Sequence, residues 1–295
     1  MRITTTIKIE KIISDYQKGE KITRKKRIFF RNQEGSLDCD VCIALTPDEL
    51  IEYVKCANDV IYFIEKYCIT GFDKGYMVLR GFQKEWINDF NENRFLIYCT
   101  SRQTGYSQVM SAVYLHYLIF NNKNKNILLI ANKGDTSCEF ISNLWNKYLG
   151  LPYFLKPGVI FCNAKSMQFN NGNQILSQAR CILSTMETID ILSYMEFAHI
   201  PPNILDTHYK NSIKKTTPGS SKIIIQSQPN GNNKFIELMA NSERKVNDPL
   251  KNIFKTIKTY WWEVEGRDEK WKEETIKAIG IEAFNQEYDL SFRAK

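Results

Sequence analysis

Between the apolar run Phe95-Leu96-Ile97-Tyr98-Cys99 and the amphipathic run Gln108 to Leu115 lies the small, polar segment Thr100-Ser101-Arg102-Gln103-Thr104-Gly105-Tyr106-Ser107. A strand that turns on such a loop straight into a helix aims the first N–H groups of the helix at the loop, which favours a phosphate there. The standard phosphate-binding pattern is G-x-x-x-x-G-K-[ST], in which the lysine neutralises the outer phosphates and the next hydroxyl holds Mg²⁺. Gly105 and Ser107 fit that use, whereas Thr100 stands at the first glycine and Tyr106 at the lysine. Taken alone, the segment is equally compatible with an ordinary strand-to-helix turn.

The elements around the loop read as alternating strands and helices. A strand over Phe95 to Cys99, a helix from Ser107 to Phe120, a strand over Asn126 to Ala131 and a helix from Thr136 to Leu149 form a β-α-β-α series. The run Ile127-Leu128-Leu129-Ile130-Ala131 is apolar throughout, as a parallel strand covered on both faces requires, and crossovers of this length imply right-handed parallel connections. Short strands follow at Gly158 to Phe161, Ser166 to Phe169 and Gln174 to Ser177, with Asn171-Gly172 as a hairpin turn, and then Ile189 to Tyr194 and Lys222 to Ser227. Upstream, Leu50, Val54, Ala57, Ile61 and Ile64 recur at helical spacing up to Tyr67 behind a capping box of Thr46 and Glu49 with Pro47 at the first helical position. A further helix begins near Gly81 and carries Phe82, Trp86, Ile87 and Phe90. The fold class is α/β, an open and mainly parallel sheet with helices on both faces and a small N-terminal helical layer.

Bulk properties set limits on function. The 295 residues, 43% of them hydrophobic, suffice for one large domain or a core domain with small appendages. No apolar run approaches the roughly 18 residues of a membrane span, and Met1 to Thr6 holds no signal-peptide core, so a cytoplasmic, non-secreted protein is expected. Eight scattered cysteines read as reduced thiols, and Cys39-Asp40-Val41-Cys42 lacks the second pair of a zinc knuckle. The net charge of +7 is concentrated at Lys21, Arg24, Lys25, Lys26 and Arg27 and again at Lys123 and Lys125. Such runs form solvated faces and also suit a polyanion, so nucleic acid is permitted.

In series, these motifs resemble the ATPase domain of the large terminase subunit, the DNA-packaging motor of tailed bacteriophages, from about Asp48 to the C-terminus. Leu79-Arg80-Gly81-Phe82-Gln83-Lys84 resembles that family's adenine-recognition segment, which makes Gln83 the reader of the base, its amide offering both a donor and an acceptor. Ser101-Arg102-Gln103-Thr104-Gly105-Tyr106-Ser107 is similar to the family's S-R-Q-x-G-K-[ST], which implies ATP phosphates on the loop, Arg102 beside them and Mg²⁺ on Ser107. Ile127 to Gly134 and Leu151 to Gly158 are similar to the strand and the Leu-Pro connection that follow. Ser193 to Pro201 resembles the segment that ends in Asp-Glu, with Met195 at the aspartate and Glu196 at the carboxylate that orients or deprotonates the attacking water. Upstream, Ser184 to Asp190 is shorter than its family counterpart and lacks Arg-Gly-x-Ser. Ser227-Gln228-Pro229-Asn230-Gly231 resembles the coupling motif S-T-P-N-G. Trp261-Trp262-Glu263 to Gln286-Glu287-Tyr288 resembles the closing helical segment, its tryptophans read as packing residues.

The resemblance implies a basic extension over 1–45, an ATPase core over 46–245 and a helical closing part over 246–295, with the family's nuclease domain absent and no DNA cleavage expected. It also implies action on double-stranded DNA with a phage portal and a small terminase subunit, as a homo-oligomeric ring in the host cytoplasm. Two readings follow. One is a packaging ATPase; the other keeps the fold as a nucleotide-, DNA- or motor-binding module, because Tyr106 and Met195 remove charged anchors on which phosphoryl transfer depends. A helicase or a generic α/β domain fits the order of motifs less well.

Overall fold

The computed structural model describes residues 28–41, 43–70, 75–179, 186–216, 219–231 and 233–291. The basic cluster at 21–27, Cys42, Cys181 and the segment 180–185 lie outside them. Along the chain run α1 (Pro47–Asn58), α2 (Val60–Tyr67), β1 (Ile69–Thr70), β2 (Gly75–Tyr76), α3 (Gly81–Glu92), β3 (Phe95–Thr100), α4 (Tyr106–Phe120), β4 (Asn126–Ala131) and α5 (Gly134–Gly150). They are followed by β5 (Val159–Asn163), β6 (Ser166–Phe169), β7 (Gln174–Ala179), β8 (Ile191–Met195), α6 (Pro202–Lys214), β9 (Lys222–Ser227), α7 (Lys234–Glu243), β10 (Lys255–Thr259), α8 (Glu269–Ile279) and α9 (Ile281–Glu287). The chain divides into two compact units, the first comprising the described residues up to Leu79 with Ser107–Lys125 and Cys138–Leu176, the second comprising Arg80–Tyr106, Asn126–Ser137 and Ser177 onward.

In the first unit, α1 opens with the expected capping box: the Glu49 N–H donates to Thr46 Oγ1 at 3.2 Å and the Thr46 N–H to Glu49 Oε2 at 2.7 Å. The helical periodicity that runs from Thr46 to Tyr67 does not make one helix. Asp59 is extended (φ −129°, ψ 99°) and its carboxylate accepts from the Tyr62 N–H, so it ends α1 and caps α2. Strands β5, β6 and the start of β7 form an antiparallel meander, and Gly172 (φ +83°) makes the turn before β7. Lys156, buried, donates from Nζ to the carbonyls of Leu149 and Gly35, closing the C-terminal end of α5.

The second unit is built on the strands β10-β3-β9-β8-β4, side by side in that order. The pairs β10 with β3, β3 with β9, β9 with β8 and β8 with β4 are all parallel. β3, β4, β8 and β9 are buried along nearly their whole length, which explains their continuous apolar sequences. β10 reads Lys-Thr-Ile-Lys-Thr, a polar strand at the end of the order, where lysines discourage pairing with another chain. α3 is fixed by Trp86, wholly buried, whose indole Nε1 donates to Thr259 Oγ1 at 2.9 Å and whose carbonyl accepts from the Tyr98 hydroxyl at 2.9 Å. Lys222 closes the other end of α3 by donating to the carbonyls of Phe90 and Asn93.

Parallel register brings the C-terminal ends of these strands to one edge. Thr259 lies opposite Thr100, Cys99 opposite Ser227 and Ala131 opposite Met195. The segments that follow β3, β8, β9 and β10 therefore gather at that edge, which is where open α/β sheets bind ligands.

Candidate functional site

The loop after β3 is held from three sides. The Ser101 N–H donates to the Thr259 carbonyl at 2.8 Å, continuing the β10 pairing past the end of β3. Thr100, buried, accepts at Oγ1 from Gln226 Nε2 at 3.0 Å. Gln83 donates from Nε2 to the Thr104 carbonyl at 2.9 Å, and its Oε1 accepts from the Arg80 N–H at 3.0 Å. The proposed reader of the base is thus 5% exposed and tied to the helix start and to the loop, with one amide hydrogen and one lone pair left over.

The loop backbone carries two residues of the kind that build anion cradles. Gln103 (φ 60°) and Gly105 (φ +84°) both lie in the left-handed region, the conformation that alternates with right-handed residues in such cradles. A Cβ on Gly105 would meet Gln83 Nε2 at 2.9 Å, so glycine is needed there for space as well as for φ. The Ser101 hydroxyl is closed off from solvent and has no hydrogen-bond partner among the described residues. Burying an unsatisfied hydroxyl costs about 1–3 kcal/mol, so a hydrogen-bond partner at this position is favoured.

Tyr106, at the lysine position, is 5% exposed. Its ring packs 5.7 Å from Trp86 and 5.4 Å from Tyr98, in a cluster that Phe82 extends. The position is spent on the core beneath the loop. Ser107, the proposed Mg²⁺ ligand, is the second residue of α4 and half-buried.

Glu196 follows β8 with a left-handed backbone (φ 53°, ψ 39°), a conformation uncommon for a residue with a Cβ and concentrated at working turns. Its side chain is half-buried, whereas Met195 before it is 3% exposed. The Glu196 N–H points to Gln226 Oε1 at 3.4 Å. One glutamine amide on β9 thus spans the root of the loop and the Glu196 turn, which belong to strands that do not pair. Ser227 Oγ accepts from the Ala198 N–H at 3.1 Å, and Asn230 and Asn233 donate to the Ala198 carbonyl. The segment Ser227, Gln228, Pro229, Asn230 and Gly231 is therefore laced to the turn that carries Glu196, with Gly231 at φ 66°.

Arg102 is exposed and reaches Glu287 at the end of α9, Nη1 to Oε2 at 3.0 Å, while its N–H donates to the Glu287 carbonyl at 2.9 Å. Its own carbonyl accepts from Arg267 Nη1 at 3.0 Å. Arg267 lies over the rings of Trp271 and Tyr288, and its pKa is lowered by burial first and by neighbouring Arg80 as well. Arg80, Arg102 and Arg267 thus bring positive charge to the loop's surroundings, in a chain that has no lysine at position 106.

No protein-family model matches the sequence. Among solved structures, the HK97 bacteriophage large terminase is similar with a TM-score of 0.63 and 15% identity, over 80% of this chain and 55% of that one. The large terminase ATPase domain of Thermus phage P74-26 is similar with a TM-score of 0.55 and 18% identity, over 74% of this chain and 95% of that domain. The chain has the fold of a phage large-terminase ATPase domain. A third structure with this fold, the large terminase of a thermophilic bacteriophage in complex with ADP, gives a TM-score of 0.54 at 13% identity over 72% of this chain and 53% of that one. The chain spans about half the length of the HK97 terminase and of the ADP-bound terminase.

Within the terminase ATPase fold, the expected residues fall into a loop group (Ser101 to Ser107 with Gln83) and a turn group (Glu196 with Ser227 to Gly231). Gln226 joins the two and Arg267 and Glu287 join the first to the C-terminal helices; none of the three was given a role of its own from the sequence. Gln226 lies one residue before the coupling segment, but nothing local distinguishes its amide from that of any strand residue. The two tryptophans differ: Trp261 is buried against Trp271 and Phe284, while Trp262 is 53% exposed and stacked on Tyr260 at 4.4 Å. Among the described residues, no helix is long and apolar enough to cross a membrane, and the described cysteines are free thiols.

Proposed function

We propose that this chain is the ATPase domain of a viral DNA-packaging motor, binding ATP on the loop from Ser101 to Ser107 and coupling its hydrolysis to movement of double-stranded DNA. The observation that carries this reading is the bridge from Thr100 through Gln226 to Glu196 at the ligand-binding edge of a sheet of the terminase type. The cradle amides and the orphan Ser101 hydroxyl suit phosphate oxygens, and the ADP held by the thermophilic-phage terminase supports the choice of nucleotide. Glu196 orients the attacking water and takes its proton as the water oxygen bonds to the γ-phosphorus and ADP leaves. Arg102 supplies positive charge to the phosphoryl oxygens. The lacing of Ser227 to Gly231 onto the Glu196 turn is the route by which phosphate loss reaches DNA-gripping parts. A portal, a small subunit and a ring of copies in the host cytoplasm are the partners and setting that the same reading implies.

Mg²⁺ fits these residues poorly. A hard cation prefers oxygen ligands, and the pair at the end of β8 offers a thioether at Met195 and one carboxylate at Glu196, leaving the Ser107 hydroxyl as the loop's candidate ligand. Tyr106 in the core and Met195 on β8 favour the second reading, the same fold kept as a nucleotide-, DNA- or motor-binding module with little or no turnover.

Phosphate release with and without double-stranded DNA separates the two. The packaging reading expects DNA-stimulated turnover that falls by about 10²-fold or more in Glu196→Gln. ATP binding without turnover supports the second reading in its nucleotide-binding form, and the absence of ATP binding overturns the packaging reading and leaves the fold as a DNA- or motor-binding module.

A further inference from the structure

Arg102 is engaged at three of its groups by the C-terminal part of the chain. Its N–H donates to the Glu287 carbonyl at 2.9 Å, its guanidinium lies 3.0 Å from the Glu287 carboxylate, and its carbonyl accepts from Arg267 at 3.0 Å. Arg102 is also the only charged residue between Thr100 and Ser107. Glu287 therefore takes a main-chain donor of the loop and its one cation, two of the groups that an incoming phosphate would use. A carboxylate is itself an oxyanion, so Glu287 occupies the guanidinium as a phosphate oxygen would.

We propose that Glu287 is a latch that competes with nucleotide phosphates for Arg102, so that α9 must release the loop before ATP binds at full affinity. The inference rests on the reading of this loop as the nucleotide site. The ion pair is suited to a reversible latch because Arg102 is 57% exposed and Glu287 25% exposed, and solvent-accessible pairs are weak. The rest of α9 stays anchored: Phe284 is 1% exposed and packs against Trp261 and Trp271. Next to Glu287, Gln286 Nε2 is 3.4 Å from Asn230 Oδ1 in the coupling segment. The same turn of α9 thus touches both the loop and the segment proposed to report hydrolysis, so release at Arg102 is felt at Asn230. A latch lowers apparent affinity by the fraction of molecules in which it is open.

The test is calorimetric titration of Mg-ATP into the full chain as wild type, Glu287→Gln and Glu287→Lys, with amide hydrogen exchange across 101–106 measured without nucleotide. Glu287→Gln keeps the main-chain contact and removes only the charge, so its fold is expected to stay intact. The latch predicts binding about two- to fivefold tighter in Glu287→Gln, a larger gain in Glu287→Lys, and faster exchange at Arg102 in both. Unchanged or weaker binding in the variants overturns the latch and leaves the nucleotide site standing. No binding by any of the three proteins overturns the site and the latch together.

Discussion

The side-chain amide of Gln83 donates to the carbonyl oxygen of Thr104 at 2.9 Å and accepts from the Arg80 N–H at 3.0 Å. A residue expected to read a nucleobase is thereby also the strut between the start of α3 and the loop. Because the strut is 5% exposed, its loss leaves two backbone groups without their partner.

Gln83→Ala is expected to lower stability by about 1–3 kcal/mol, the cost of unpairing buried polar groups, and to speed amide exchange in the loop. Urea unfolding and hydrogen exchange check the two effects. Unchanged loop exchange would contradict the strut.

Tyr106→Lys restores the lysine of the phosphate-binding pattern without its geometry. The new ammonium would start from a position packed between Trp86 and Tyr98, so a loss of about 2–4 kcal/mol is expected, against under about 1.5 for Tyr106→Phe. Denaturant midpoints of the two variants give the comparison, and a Lys variant as stable as the Phe variant would show that this side chain is not held in the core.

Gly105→Ala adds a Cβ 2.9 Å from Gln83 Nε2 at φ +84°. The combined strain and displacement of the strut should cost about 1–3 kcal/mol. Nucleotide affinity should fall with it, since the same change distorts the cradle; a melting curve and a titration on one sample test both.

His116 gives the first unit a defined acid sensitivity. Its Nε2 lies 2.8 Å from the Cys56 carbonyl, so that nitrogen carries the proton of a neutral ring, and burial lowers its pKa from 6.5 to about 4 against the opposing effect of that hydrogen bond. A depressed base is protonated first in the unfolded chain. Its contribution to stability is therefore complete above pH 6.5 and is lost as pH falls toward about 4, at about 1.4 kcal/mol per pH unit. His116→Gln should flatten that part of the stability profile relative to wild type; parallel profiles for the two proteins would refute the assignment.

The parallel strands were legible because burial on both faces favours runs of consecutive apolar residues: the ranges expected for β4 and β9 are those observed. Thr46 and Glu49 announced the start of α1 for a similarly local reason. β10 was not legible, since an edge strand reading Lys-Thr-Ile-Lys-Thr carries little core signal. The break at Asp59 was masked by apolar spacing that continues through it, although Asp is a common cap. The loop was visible as a loop, but the inward packing of Tyr106 depends on Trp86 and Tyr98. Arg102 meets Arg267 across 165 residues and Glu287 across 185, and no local pattern encodes such pairings.

The most direct test of the account is a calorimetric titration of Mg-ATP into the wild-type chain and into Arg102→Ala. A single site per chain is expected, weakened several-fold or more by the substitution because the guanidinium proposed to meet the phosphates is lost. Heat of binding identical in the two proteins, or none in either, would contradict a nucleotide site on the loop after β3.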